Sequence, residues 1–281
     1  PGVAGIMAER WKERFPALLA IALPVLAGLA YMALRGAPPS YPIVNAIALA
    51  LAAALVLIGL PELGERARRI AGAGLLALFA LPLLTGPETS GIARWLPLGP
   101  FILHAGMLTI PALGVLAARE NVLGPVALFA ALLVALAQPD FASAFALTGA
   151  AIGLYQVRGD WRLGLVIIAG FFIAISAALR GELPPAPFVE RVLQDATAAS
   201  PAMAAILALA LAGSVVAMLF GTGLPRTARY PLGMSLVGFL LAALINNYPT
   251  PLAGYGAAAI IGFAFAHTLA FALPAGTQSP P

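Results

Sequence analysis

The stretch PALLAIALPVLAGLAYMAL, residues 16–34, contains no charged side chain. A helix of about 20 apolar residues is long enough to cross the hydrocarbon core of a bilayer. Similar runs recur along the chain, which is 62% hydrophobic and only 9% charged, with a mean hydropathy of +0.99. Soluble domains have about a quarter of their residues charged. The sequence therefore predicts an all-α polytopic membrane protein.

Ten apolar runs are predicted to form transmembrane helices within a single transmembrane domain, residues 1–281. The fifth and sixth runs are separated only by a short polar seam at AQPDFAS, so a nine-span alternative stays open. A signal peptide is the alternative for the first run, but no clear small-x-small cleavage site follows it. The ten predicted spans are about 16–34, 43–60, 70–86, 102–118, 123–138, 141–157, 162–179, 202–220, 230–246 and 255–273.

The basic residues give an orientation, because cytoplasmic loops of membrane proteins carry an excess of Lys and Arg. If ten helices alternate from a cytoplasmic N-terminus, eleven basic residues fall inside and four outside. Both termini are therefore expected to be cytoplasmic. The four outside are Arg35, Arg94, Arg180 and Arg191, and the eleven inside are Arg10, Lys12, Arg14, Arg66, Arg68, Arg69, Arg119, Arg158, Arg162, Arg226 and Arg229.

Several kinds of chemistry are excluded by composition and motif. The chain has no cysteine, so disulfides, Fe–S clusters and thiolate catalysis are ruled out. Its basic residues form no dense patch, and no nucleotide-binding motif is present, so we expect no nucleic-acid partner and no cofactor. His104 and His267 have no second ligand at helical spacing. We interpret both as packed, hydrogen-bonded side chains and predict no metal site.

Polar residues near the apolar runs are the candidates for function, since charges at membrane depth are costly. Asp140 lies in the seam QPDFASA, residues 138–144. Its carboxylate could cap the sixth helix, or it could serve as a proton relay or substrate contact. Arg94 and Trp95 belong to an outer turn, RWLPLGP, that leads into the fourth helix.

The longest outer loop, residues 180–200, offers further carboxylates. We expect a short amphipathic helix there that carries Glu190, Arg191 and Asp195 on its polar side. Its apolar side chains are expected to face the membrane: Phe188, Val189, Val192 and Leu193. The alternative to a solvated interfacial helix is a catalytic or substrate-gripping role for Asp195 and Glu190.

Three motifs resemble those of the SEDS family of RodA/FtsW-like bacterial proteins. They are RWLPLGPFILHAGMLT at 94–109, QPDFASA at 138–144 and TPLAGYGAAA at 250–259. The resemblance implies a ten-span SEDS-like bundle in the bacterial inner membrane. It also implies polymerisation of peptidoglycan glycan strands from lipid II, a polyprenyl-linked substrate, together with a class B penicillin-binding protein.

The chain departs from the family pattern at the positions that carry its chemistry. Residues 104–107, HAGM, occupy the positions of the family's Q-P-S-E, and the outer loop is short. Much of the catalytic motif set is therefore missing, and enzyme activity is left undecided. The candidates for catalysis are Asp195 and Glu190, and the candidates for substrate binding are Arg94, Trp95, Asp140 and Arg191.

Three functional hypotheses follow. The first is a divergent SEDS-like protein of envelope assembly that binds lipids, a polyprenyl-linked substrate or a division or elongation partner. The second is a SEDS scaffold recruited as a non-catalytic subunit among other membrane proteins, in a photosynthetic or respiratory complex. The third is a small transporter, for which Asp140 is the one obvious coupling residue.

Overall fold

The computed structural model describes residues 3–99 and 101–273, with side chains from Trp11 onward. Pro100, which belongs to the RWLPLGP turn, and the chain ends at 1–2 and 274–281 lie outside the described residues. The described chain is mainly helical, and its one paired sheet is a two-stranded hairpin. This confirms the predicted all-α membrane class.

Each of the ten predicted spans corresponds to a helix. The segment Gln138–Asp140 separates helix α6 from helix α7, where the fifth and sixth spans were predicted. In chain order the elements are α1 (Val3–Leu34), α2 (Ser40–Ile58), α3 (Glu65–Ala80), α4 (Pro82–Thr85), β1 (Trp95–Leu98), β2 (Phe101–His104), α5 (Ala105–Ala117), α6 (Leu123–Ala137), α7 (Phe141–Arg158), α8 (Trp161–Ala178), α9 (Val192–Ala199), α10 (Pro201–Val216) with a π-helical end (Ala217–Gly221), α11 (Arg226–Ile245) and α12 (Ala257–Phe271).

Six helices in the described part are long and apolar enough to cross a bilayer alone, and α5, α6 and α12 are shorter apolar helices. The exception is α7, which belongs to neither group. It packs against α5, α6, α8 and α11, and most of its residues are buried. Because neighbouring helices rather than lipid surround α7, it can carry polar residues such as Ser143 and Thr148.

Glycines allow the central helices to approach closely. A Cβ added at Gly149 or Gly153 of α7 would collide with backbone carbonyl oxygens of α11. A Cβ at Gly262 of α12 would collide with the carbonyl oxygen of Met107 in α5. Small residues at such contacts are typical of membrane bundles, where burial from water does not drive helix association.

The loops segregate to two opposite faces. On one face Arg14 donates to the carbonyl oxygen of Val56 at 2.7 Å and lies against the ring of Phe271. Arg158 on that face donates to the carbonyl oxygen of Glu120 at 3.1 Å. This is the face with the basic excess, hereafter the cytoplasmic face. The opposite, outer face holds the β1–β2 hairpin and the loops after α6, α8 and α11.

The fourth span differs from the prediction in its first residues. The span was expected to be helical from residue 102, but Phe101–His104 pairs with Trp95–Leu98 as a hairpin and the helix starts at Ala105. The left-handed backbone of Gly99 (φ +59°) lets the chain reverse there. Helical periodicity could not reveal this reversal, because the segment remains apolar on both sides of the turn.

Candidate functional site

The β1–β2 hairpin places two polar side chains inside the outer half of the bundle. Trp95 pairs with His104 at the base of the hairpin, and the amide of Ala105 donates to the carbonyl oxygen of Arg94 at 3.1 Å. Leu98 and Phe101 at its tip are exposed. The hairpin thus directs its apolar tip outward and its polar base inward.

Arg94 is the largest buried polar side chain in the described part of the protein. It is only 1% exposed, and its guanidinium carbon lies 4.9 Å from the ring centre of Trp95 and 4.7 Å from that of Tyr248. Its Nε and Nη1 atoms have no hydrogen-bond partner among the described residues. Buried N–H groups of a charged side chain are normally bonded. Arg94 therefore presents unused donors to the interior of the outer face.

Asp140 caps α7, as one of the two sequence-based alternatives predicted. Its Oδ1 accepts from the amide of Ser143 at 3.1 Å, and its Oδ2 accepts from the Ser143 hydroxyl. His104 Nε2 lies 3.5 Å from Oδ2. His104 Nδ1 in turn accepts from the amide of Met107 at 3.3 Å and caps α5. His104 is thus a packed, hydrogen-bonded histidine, as predicted.

Tyr248 connects this cap to Arg94. Its hydroxyl accepts from the amide of Phe141 at 3.4 Å and donates to the carbonyl oxygen of Gly181 at 3.3 Å. Burial raises the pKa of Tyr248, with the Asp140 charge adding to the rise. The phenol therefore remains protonated at neutral pH and can hold three outer segments together.

Glu190 is buried in a turn beside Tyr248. Its backbone bridges to Pro249, and its Oε2 accepts from the amide of Ala186. Burial raises the pKa of the Glu190 carboxyl, while the Ala186 hydrogen bond and the charge of Arg94 oppose that rise. The carboxyl is thus close enough to Arg94 to interact with its charge.

The outer loop differs from the predicted amphipathic helix. Helix α9 starts at Val192, so Phe188, Glu190 and Arg191 precede it. Phe188 and Arg191 adopt left-handed backbone conformations (φ 64° and 57°), which break the helix. Val192 is fully buried against α1 and α10 instead of facing the membrane, because α9 lies across those helices.

Asp195 and Arg191 lie at the surface. Both are exposed, and with Glu190 they line an outer cavity of about 180 Å³. Asp195 also lines a cavity of about 320 Å³ beside Tyr31 and Phe188. The structure therefore brings Arg94, Trp95, Asp140 and Glu190 into one neighbourhood and leaves Asp195 and Arg191 on its outer side.

An apolar groove of about 220 Å³ opens beside the hairpin. Its walls come from α2, the hairpin and α12, and include Ile47, Leu51, Leu98, Phe101 and Ile261. Leu98 and Ile47 remain more than half exposed. The groove therefore offers an apolar surface that continues from the hairpin along the lipid-facing side of α2.

Sequence reasoning missed Tyr248 and Asn45. Asn45 is fully buried in α2, donates to the carbonyl oxygen of Gly254 at 2.9 Å and accepts from the amide of Gly256 at 3.0 Å. A lone Asn in an apolar helix was the available signal for it. Tyr248 sits in the polar segment NNYPTP, where nothing in the sequence marks it for burial.

No group of three His, Asp or Glu side chains suited to a metal ion occurs within residues 3–99 and 101–273.

Comparison with known proteins gives one sequence match and several fold matches. No model of a protein family matches the chain. Over 150 residues, 47% of this chain, it is 35% identical to the probable peptidoglycan glycosyltransferase FtsW of Halorhodospira halophila. The match spans 38% of that relative, well under half its length.

The fold matches cover nearly the whole chain. The crystal structure of the rod shape determining protein RodA of Thermus thermophilus superposes with a TM-score of 0.63 at 20% identity. That match covers 93% of this chain and 95% of RodA. A chain of a peptidoglycan synthase complex gives a TM-score of 0.60 at 18% identity, over 92% of this chain and 97% of its own length. The chain thus has the fold of RodA over nearly its whole length and is similar in sequence to an FtsW protein over about half of it.

Proposed function

We propose that this protein belongs to the SEDS family and binds a polyprenyl diphosphate-linked glycan precursor at its outer face, as part of cell-envelope assembly in the bacterial inner membrane. The observation that carries the proposal is Arg94, whose buried guanidinium has no hydrogen-bond partner for Nε and Nη1 among the residues that the structure describes. The charge of Arg94 interacts with Glu190, but a hydrogen bond to a charged group contributes about 1.5–3 kcal/mol, so an anionic ligand that accepts from Nε and Nη1 gains correspondingly. A diphosphate supplies oxygens in the geometry that a guanidinium binds best.

The apolar groove beside the hairpin is suited to the polyprenyl chain of such a ligand. The hairpin connects Arg94 at its base with Leu98 and Phe101 in the groove wall. Four extended residues span roughly 13 Å, so diphosphate and chain would occupy neighbouring positions along one ligand. A polyprenyl chain in the groove would place its diphosphate toward Arg94.

The segments that carry Glu190 and Tyr248 must part to admit the ligand. Arg94 is almost fully buried, and its neighbour Tyr248 lies in a segment bonded to the Glu190 turn. The amide of Thr250 donates to the carbonyl oxygen of Val189 at 2.9 Å, and that of Tyr255 to Phe188 at 2.6 Å. These backbone bonds form the closure that substrate binding would open.

For glycosyl transfer, Glu190 is the better placed of the two predicted carboxylates. A general base works best when its pKa lies near the working pH, and burial moves the pKa of Glu190 upward. The acceptor hydroxyl oxygen would bond to the anomeric carbon as the bond from that carbon to the diphosphate breaks. Its proton would pass to Glu190, and Arg94 would stabilise the departing diphosphate. Asp195 is exposed and lies outside this neighbourhood.

A partner that crosslinks glycan strands is part of the proposal. One structural neighbour comes from a peptidoglycan synthase complex that coordinates polymerization and crosslinking. A class B penicillin-binding protein is the partner that this likeness supports. The named relatives belong to peptidoglycan synthesis and cell shape, so recruitment into a photosynthetic or respiratory complex is not favoured.

Binding of purified lipid II to the protein in nanodiscs tests the proposal. We expect Arg94→Met to weaken binding at least tenfold, because the diphosphate loses its guanidinium. Arg35→Met is the matched control, since Arg35 is an exposed arginine on the same face, and it should bind as the wild type does. Equal affinities for wild type and Arg94→Met would refute the proposal.

Catalysis is tested separately by lipid II polymerisation with the partner present. We expect Glu190→Gln to abolish polymer formation and Asp195→Asn to reduce it less than threefold. The opposite order would make Asp195 the base. Binding of lipid II without polymer formation by the wild type would leave a substrate-binding protein on a polymerase scaffold.

A further inference from the structure

A second groove lies on the cytoplasmic face, far from the outer site. It opens between α3, α5 and α6 with a volume of about 110 Å³. Its walls are apolar and include Gly72, Leu113, Leu116 and Leu123. Leu123 is still 48% exposed, so the groove is open sideways to the membrane as well as to the cytoplasmic face.

The rim of this groove is basic. Arg68 and Arg69 line its cytoplasmic end. Arg119 lies beside it, close enough to Arg68 and Arg158 for their charges to act on its guanidinium. Burial, together with those two charges, lowers the pKa of Arg119. The charges of Arg68 and Arg158 therefore both disfavour the charged form of Arg119 beside the groove.

The acids nearby do not neutralise this cluster. Glu120 also lines the groove, but its Oε1 and Oε2 accept from Arg69 at 3.4 and 3.3 Å. Glu65 pairs with the same Arg69 at 2.6 Å. The two carboxylates are thus held by one arginine. Arg158 is partly offset by the charges of Asp160 and Glu120, so Arg68 and Arg119 are the arginines in excess.

Arg158 differs from Arg68 and Arg119 in its hydrogen bonding. Arg158 is satisfied, because it donates to the carbonyl oxygens of Ala118 and Glu120 and so holds the end of α5. Arg119 Nε and Nη2 and Arg68 Nε are buried and have no hydrogen-bond partner within the described part of the chain. Donors of this kind are costly to leave unused. They point to an acceptor that comes from outside the chain.

We propose that this groove binds one anionic phospholipid of the cytoplasmic leaflet, with the phosphate on Arg68 and Arg119 and an acyl chain against the apolar wall. Basic pockets between transmembrane helices on the cytoplasmic side suit anionic headgroups. A free phosphate would use the arginines alone, whereas the apolar wall and the lateral opening at Leu123 suit an acyl chain.

The site would also stabilise the loop between α5 and α6. Arg119 belongs to that loop, and Arg158 and Arg162 hold its carbonyl oxygens from the α7–α8 side. A phosphate shared by Arg119 and Arg68 would connect this loop to the start of α3. Lipid binding should therefore raise the melting temperature of the bundle, independently of any substrate at the outer face.

Native mass spectrometry of the whole chain in mixed phosphatidylglycerol and phosphatidylcholine tests the proposal. We expect one phosphatidylglycerol retained per chain, and at least tenfold less retained by the double variant Arg68→Gln, Arg119→Gln. Arg226→Gln is the control, because Arg226 is an exposed arginine on the same face away from the groove. Equal retention of the two lipids, or retention unchanged in the double variant, would overturn the proposal.

A second variant tests the groove without altering its charge. A Cβ at Gly72 would stand 3.8 Å from Leu116 Cδ1, so Gly72→Leu fits the backbone but fills the groove. It should reduce phosphatidylglycerol retention as strongly as the double variant does. Retention unchanged in Gly72→Leu, or displacement of the lipid by inorganic phosphate alone, would mean that the groove is not a lipid site.

Discussion

The guanidinium carbon of Arg94 lies 4.7 Å from the ring centre of Tyr248, a residue more than 150 positions later in the chain. Stacking on an aromatic face stabilises a cation by about 0.5–2 kcal/mol, but it bonds none of the N–H groups. The contact therefore holds the side chain in place while leaving Nε and Nη1 for a ligand. This arrangement is suited to binding an anion rather than to maximal stability.

Removing the Arg94 charge should not destabilise the empty protein. Burial of a charge disfavours the folded state because the ion loses its hydration, and Arg94 Nε and Nη1 have no hydrogen-bond partner among the described residues to offset that loss. We therefore expect Arg94→Met to have a melting temperature equal to or above that of the wild type without substrate. Thermal unfolding in detergent measures this, and a loss of more than about 2 kcal/mol would mean that Arg94 is structural.

Glu190 should make stability depend on pH in an unusual direction. Its pKa in the folded state is raised above the ordinary value of 4.5, so the folded protein binds the proton more tightly than the unfolded chain. Its contribution is fully present below pH 4.5 and is lost as pH rises through the folded pKa. The melting temperature of the wild type, relative to Glu190→Gln, should therefore fall as pH rises. A difference that rises with pH would show that the pKa is lowered.

Asp140 should act chiefly through its cap. Asp140→Ala removes the acceptor for the Ser143 amide and hydroxyl, and loss of a cap costs about 0.5–2 kcal/mol. Asp140→Asn keeps an acceptor oxygen and should recover most of that loss. Thermal unfolding of the two variants separates the contribution of the helix cap to stability from that of the Asp140 charge. If Asp140→Asn lost as much stability as Asp140→Ala, the charge beside His104 rather than the cap would have the main role.

Close packing of α7 on α11 gives a matched pair of glycine variants. Gly→Ala in an exposed helix position stabilises by about 1 kcal/mol, and Gly213 of α10 has open space around it. At Gly153 the new Cβ would collide with the backbone of Tyr230, which should cost about 1–3 kcal/mol. We expect Gly213→Ala to raise the melting temperature and Gly153→Ala to lower it. A change of melting temperature in the same direction for both variants would mean that α7 and α11 can move apart at little cost.

The sequence predicted most of the fold because membrane spans are local features. The run 162–179 corresponds to helix α8, Trp161–Ala178, whereas α1 starts at Val3, well before the predicted span 16–34. The cap by Asp140 was equally local, since its partner Ser143 is three residues away. These features need only length, composition and spacing.

The site was less predictable because its contacts are long-range. Glu190 was expected on a solvated helix, but its burial depends on a bridge to Pro249 in another loop. The surroundings of Arg94 depend on Tyr248 in that same loop. The hairpin was hidden because its tip residues, Leu98 and Phe101, are as apolar as the helix that follows. The pattern of residues in a single sequence does not show which distant residues come into contact.

A structure of the protein in nanodiscs with a polyprenyl diphosphate sugar tests the central claim most directly. The account predicts diphosphate oxygens within hydrogen-bond distance of Arg94 Nε and Nη1, the polyprenyl chain in the groove at Leu98 and Phe101, and the Glu190 and Tyr248 segments moved apart. A ligand bound elsewhere, with Arg94 still buried and unpaired, would contradict it.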